Sequence, residues 1–102
     1  MVDLEQTTMQ LIIHSGNARS LAYEAFDLAL ENDFAAAGAK LREASQELSR
    51  AHGTQTALIQ NEAAGNGVPL TLLLVHGQDH LMTAMTEINL IERLVRMMER
   101  RK

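Results

Sequence analysis

The chain has 102 residues, a formal net charge of −4, 46% hydrophobic residues and no cysteine. That length is one domain, residues 1–102, near the small end for a self-sufficient core, so burial against further copies would help it. The acidic balance argues against a general nucleic-acid binder, and the lack of cysteine removes thiolate nucleophiles, disulfides and Cys-type zinc sites together.

The N-terminal stretch from Met1 through Thr7 has neither the basic start nor the apolar run of a signal peptide. The longest apolar run, Leu72 to Val75, is too short to span a bilayer. A cytoplasmic protein without membrane insertion is expected.

Three amphipathic helices and no strand are predicted. The first runs from about Asp3 to Glu31, with Leu11, His14, Ala18, Leu21, Ala25 and Leu28 at alternating spacings of three and four. Its residues are small as often as large, so a neighbouring helix can approach closely. Asn32-Asp33 breaks it and offers an N-cap to the next helix. The second runs from about Phe34 to Ala64, with a core stripe of Phe34, Ala37, Leu41, Ala44, Leu48, Ala51 and Leu58 and one polar member, Gln55. Arg42, Glu43, Gln46, Glu47 and Arg50 form its solvated face. Gly65-Asn66-Gly67 suits a left-handed C-cap, and Pro69 suits the first turn of a third helix.

The third helix carries two apolar stripes. Leu74, Gly77, Leu81, Ala84, Ile88, Ile91, Val95 and Met98 make the seam expected against the other two helices. Val68, Leu72, Val75, Asp79, Met82, Thr86, Leu90 and Met97 lie nearly opposite. A three-helix bundle covers one seam of each helix, so the second asks for another subunit. The fold expected is an all-α antiparallel three-helix bundle with short loops.

His76, Asp79 and His80 are a polar cluster on this oily helix. His76 and His80 are neighbours at i and i+4, with Thr83 following on the same flank between the stripes. Asp79 falls inside the second stripe, so the three need not share a site. A zincin would need a glutamate after His76, where Gly77 stands, and a di-iron bundle would need glutamates at Leu11, Ser49, Leu73 and Gly77. The serines at 15, 20, 45 and 49 have no nucleophile elbow. A two-histidine metal site stays open, although two such residues on one helix are common by chance. Phosphoryl transfer fits better, because a neutral imidazole is already nucleophilic and needs only exposure, an orienting neighbour and donors for the phosphate oxygens. His76 is the candidate acceptor, with His80, Gln78 or Thr83 as donors or orienters. It is expected about two turns into the helix, where the dipole adds little.

The segment Val75-His-Gly-Gln-Asp-His-Leu-Met-Thr83 resembles the phosphorylation-site motif of the lactose/cellobiose family of phosphotransferase-system enzyme IIA components. Ile12 to Ala25 resembles that family's first helix and Ala51 to Ala63 its second, so the resemblance covers nearly the whole chain. It implies a homotrimer, a nine-helix bundle, in which His76 is the phosphorylated histidine. It also implies that Asp79 stands at the threefold axis, where three copies meet and can share a divalent cation such as Mg2+. The implied partners are the histidine phosphocarrier protein HPr as donor and a cognate IIB component as acceptor. Sugar would then cross the membrane through IIC. Gly77 stands where alanine is expected, at a cost of up to about 1 kcal/mol in helix propensity.

Plainer roles cover the remaining residues. His14 reads as a satisfied, partly buried histidine, and His52 as a residue packed beside the active crevice. The methionines are adaptable core packing, with Met82 also suited to a partner surface. Arg96, Arg100, Arg101 and Lys102 complement the C-terminal end of their helix. Without the resemblance, a structural His76 would be the favoured reading. A second class of function is a helical assembly or regulatory module of the same fold without transfer; retention of His76, Gln78, Asp79 and His80 favours the carrier. The sugar is not legible, since the resemblance implies a component that never touches it; lactose, cellobiose and chitobiose types all fit.

Overall fold

The computed structural model describes residues 3–102 and forms three helices, α1 (Leu4–Leu30), α2 (Phe34–Ala63) and α3 (Leu72–Arg100). Of the N-terminal stretch, Met1 and Val2 lie outside the described residues. Helices of this length run about 40–45 Å at 1.5 Å per residue. In a body of 52 × 20 × 19 Å they lie side by side.

Each helix starts on a side-chain cap. The Asp3 carboxylate accepts from the Gln6 N–H at 3.1 Å, Asp33 from Ala36 at 3.2 Å, and the Thr71 hydroxyl from Leu74 at 3.1 Å. Each satisfies a donor that the first helical turn leaves over. The α1 and α2 ends both turn through a left-handed residue, Asn32 at φ 64° and Gly65 at φ 86°. Asn32 and Asp33 donate back to Ala29 and Leu28, and Gly65 and Asn66 to Glu62 and Asn61. These are paired Schellman bonds. Asp33 therefore closes one helix and opens the next, which holds α1 and α2 in a tight antiparallel hairpin.

The α2–α3 connection departs from expectation. Pro69 does not enter α3, which starts three residues later because Thr71 supplies the cap. Val68 accordingly leaves the second stripe; it lies in the connection, half-buried against the apolar cluster at that end of the bundle. His76 is the fifth residue of α3, one turn nearer its start than expected.

α1 packs against both other helices, which touch each other less. Its buried line is Thr8, Leu11, Ser15, Ala18, Ala22, Ala25 and Ala29, turned from the expected stripe so that His14, Leu21 and Leu28 fall on its edge. A helix wedged between two others presents its smallest residues to both. The expected α3 seam is buried from Leu74 through Val95, with Met98 partly buried beside it. Gly77 marks a close approach of α1 and α3: a Cβ there would stand 3.2 Å from Thr8 Cγ2 and 3.5 Å from Leu11 Cβ. Thr8 is itself pinned by a 2.7 Å bond from its hydroxyl to the Leu4 carbonyl. The glycine thus gives up helix propensity for a tighter contact.

The core falls into two clusters. One joins Ala18, Ala22, Ala25, Ala37, Ala44, Ile88, Ile91 and Val95; the other joins Leu11, Ala51, Leu58, Leu74 and Leu81. On α1 the buried Ser15 stands between them, and its hydroxyl has no hydrogen-bond partner among the described residues. The second α3 stripe stays on the surface, with Leu72 85%, Val75 46%, Met82 51%, Leu90 57% and Met97 47% exposed. Five large apolar side chains in one line are more than scattered surface residues account for. No helix of the described residues is long and apolar enough to cross a membrane.

Candidate functional site

Helical spacing brings His76 and His80 together as anticipated. Their Nε2 atoms are 3.1 Å apart and the rings meet edge to face, with centroids 4.5 Å apart at 88°. His76 is exposed, while His80 is half-buried against α1. His76 also lines a shallow apolar depression of about 630 Å³ with Leu72, Leu73, Val75 and Asp79. The nucleophile candidate thus sits at the junction of a polar network on one side and an apolar surface on the other.

The polar side continues further than spacing on α3 alone suggests. The i, i+4, i+7 progression from His76 through His80 and Thr83 reaches Glu87, and Arg19 of α1 lies across this line. Its Nη1 is 3.3 Å from His80 Nδ1, its Nη2 donates to Thr83 Oγ1 and the His80 carbonyl, and its Nε pairs with Glu87 Oε2. The Tyr23 hydroxyl donates to the other Glu87 oxygen at 3.3 Å. The Thr83 hydroxyl in turn donates to the Asp79 carbonyl at 2.8 Å. The guanidinium is partly shielded, at 25% exposure, and its planar fork is spent on several acceptors at once. The signal for this network was available: a carboxylate four residues past Thr83 on a flank that faces α1 calls for a cation there, and Arg19 is in register.

Gln78 lies elsewhere. It points to α2, where its side-chain oxygen accepts from Gln55 Nε2 at 2.6 Å; that same nitrogen is 3.6 Å from Met82 Sδ. The polar member of the α2 stripe therefore finds a polar partner on α3, away from His76. Asp79 is exposed on the second stripe. His14 is held at both ring nitrogens, by Glu47 at 2.6 Å and Gln10 at 2.9 Å, and bridges α1 to α2. His52 is exposed on α2.

Among the described residues no group of three or more potential metal-ligating side chains gathers within one subunit. A lone exposed carboxylate offers one or two oxygens, short of the near-octahedral set that Mg2+ takes. Asp79 fits such a cation only where copies of it meet, with water completing the shell.

A helical bundle that presents an exposed imidazole beside a second one has what a carrier of a group between two partners requires, and comparison with known proteins places it among such carriers. The sequence model described as "PTS system, Lactose/Cellobiose specific IIA subunit" matches residues 6–99. The lichenan-specific phosphotransferase enzyme IIA component of Bacillus subtilis (strain 168) is 47% identical, over 96% of this chain and 89% of its own. The crystal structure of the cellobiose-specific enzyme IIA of Bacillus anthracis superposes with a TM-score of 0.92 at 40% identity, covering 98% of this chain and 92% of that one. The IIA(Chitobiose) of Escherichia coli, solved in complex with HPr, gives 0.83 at 44% identity over 98% and 97%. The chain belongs to the lactose/cellobiose-specific IIA family of the sugar phosphotransferase system.

Proposed function

We propose that the protein is a phosphocarrier in which His76 accepts a phosphoryl group from phospho-HPr and passes it to a cognate IIB component. A lone pair on the His76 ring attacks phosphorus in line. The N–P bond to His76 forms as the one in the donor breaks, and the donor leaves as its own histidine. No general base is needed, because the attacking nitrogen carries no proton. The surroundings have to supply exposure and hydrogen-bond donors to the three phosphoryl oxygens. The observation that carries the reading is an exposed His76 with the His80 ring nitrogen 3.1 Å away, in a family whose chitobiose member is solved with HPr. The apolar depression beside His76 suits two partners that must dock in turn and then leave, and such encounters bury roughly 1,200 Å² or less.

The group then passes through IIB to a sugar crossing the membrane with IIC. Relatives named for lichenan, cellobiose and N,N'-diacetylchitobiose support a β-linked disaccharide as the cargo, with the lactose type also within the family's description. A carrier fed by HPr works in the cytoplasm.

The second stripe of α3 supports a homotrimer, a bundle of nine helices with Asp79 of each copy near the axis. There three carboxylates would hold a divalent cation such as Mg2+, which would neutralise their mutual repulsion. Gln78, paired with Gln55, orders the α2–α3 contact from the side opposite His76.

Incubation with phosphoenolpyruvate, enzyme I and HPr should yield an acid-labile, base-stable phosphoprotein, and His76→Ala should abolish it. Undiminished labelling of that variant would remove His76 from the reaction.

A further inference from the structure

We propose that Arg19 is a positioning residue that fixes the tautomer of His80, and so keeps an N–H aimed at the reactive nitrogen of His76. A guanidinium only donates, and it keeps its charge at any working pH. Its Nη1 lies 3.3 Å from His80 Nδ1, so that nitrogen accepts. A neutral imidazole has a single N–H, which therefore sits on His80 Nε2. That atom is 3.1 Å from His76 Nε2, which must then present its lone pair and carry its own proton on Nδ1. Rotating the His80 ring by half a turn would set carbon against both Arg19 and His76, so the ring orientation follows from the same two contacts.

The chain of donors selects the atom that attacks. With His76 Nε2 unprotonated, the new N–P bond forms there, the donor's N–P bond breaks, and His80 keeps its proton throughout. Once the phosphoryl group is in place, the His80 N–H is the donor already standing beside its oxygens. Without Arg19 the His80 ring is free to place its proton on Nδ1, which would turn a lone pair towards the His76 lone pair. Arg19 can hold this duty because Glu87, Thr83 and the His80 carbonyl fix its other nitrogens, and Tyr23 fixes Glu87.

The kinetic consequence rests on the phosphocarrier reading, whereas the tautomer belongs to the unphosphorylated protein and is measured without transfer. Long-range 15N–1H correlation spectra of 15N-histidine-labelled protein, at a pH about two units above the ordinary histidine range, should show His80 as the Nε2–H form and His76 as the Nδ1–H form. Arg19→Met should give averaged His80 shifts, and Arg19→Lys, another obligate donor, should restore the Nε2–H form at least in part. In transfer assays Arg19→Met should lower the rate of phosphorylation by about 10- to 100-fold, the scale of loss seen when a metal-bound histidine loses its outer partner. The pair Arg19→Met with His80→Ala should be no slower than His80→Ala alone, because both changes remove one device. A wild-type His80 protonated on Nδ1, a wild-type tautomer in Arg19→Met, or additive losses in the double variant would each overturn the proposal. If Arg19→Met does not fold, the wild-type and Arg19→Lys spectra still decide it. Failure of wild-type labelling would instead count against the carrier reading and leave the tautomer measurement standing.

Discussion

A hydroxyl in a dry core is costly unless something bonds it, and Ser15 is fully buried with its Oγ unpartnered among the described residues. Ser15→Ala removes that group, leaves no cavity of consequence and improves helix propensity. It should raise stability by about 1–3 kcal/mol in denaturant unfolding. Unchanged or lower stability would mean that the hydroxyl is satisfied in solution. Individual residues were unevenly legible. His76 and His80 could be paired from spacing alone, because i and i+4 must meet on a helix. Gln78 could not be placed with its true partner, since that required knowing which face of α2 meets α3. Arg19 is one polar residue among several on α1 until its register with α3 is known, although Glu87 on the active flank called for a cation.

At the level of the helices, the existence and type of all three followed from period and punctuation, and the hairpin of α1 and α2 followed from Asn32-Asp33 and its cap. The start of α3 did not. Pro69 and Thr71 are both start signals, and a threonine whose hydroxyl reaches the Leu74 N–H sets the boundary where the proline only stiffens the approach to it. That cap now carries functional weight, because His76 is one turn away. Thr71→Ala should cost about 1 kcal/mol and fray the first turn of α3. Labelling of His76 by phospho-HPr should slow in proportion, and Thr71→Ser, which keeps the hydroxyl, should restore both. Full labelling rates in Thr71→Ala, with the stability loss present, would show that the first turn is held by packing alone.

At the scale of the whole molecule, the proposed homotrimer turns on Asp79. An apolar line interrupted by one ionisable side chain fixes register and oligomer number at some cost in stability. If the proposed trimer holds a cation at its axis, Asp79→Leu should give a trimer that chelator does not affect, while the wild type should loosen in chelator. Phosphorylation of His76 should survive the change, since Asp79 contributes only its backbone carbonyl to the network behind His80. Sedimentation of both proteins with and without chelator, alongside labelling, makes the comparison. A wild type that is monomeric throughout, or a trimeric Asp79→Leu that accepts no phosphoryl group, would contradict this division of labour. The second stripe was legible from the sequence because a lone bundle has no use for it. The turn of α1 was not, because its alanines make several faces look equally fit for burial.

Two clusters of core residues in one bundle also mean that the molecule need not open all at once. The cluster between the α1–α2 turn and the α3 C-terminus is the larger, and Lys102 lies over the Phe34 ring at that end, 5.6 Å from its centre. The cluster under His76 is smaller, bordered by an eight-residue connection that is largely exposed. Amide hydrogen exchange should therefore run faster along Leu74–Leu81 than along Ala84–Val95, by partial opening of the site end while the far end stays closed. Equal protection along α3 would mean a single cooperative unit instead. Such a gradient would suit a protein gripped by two different partners in succession: its adjustable surface would lie where local unfolding costs least, while the rest of the rod keeps the memory of the fold.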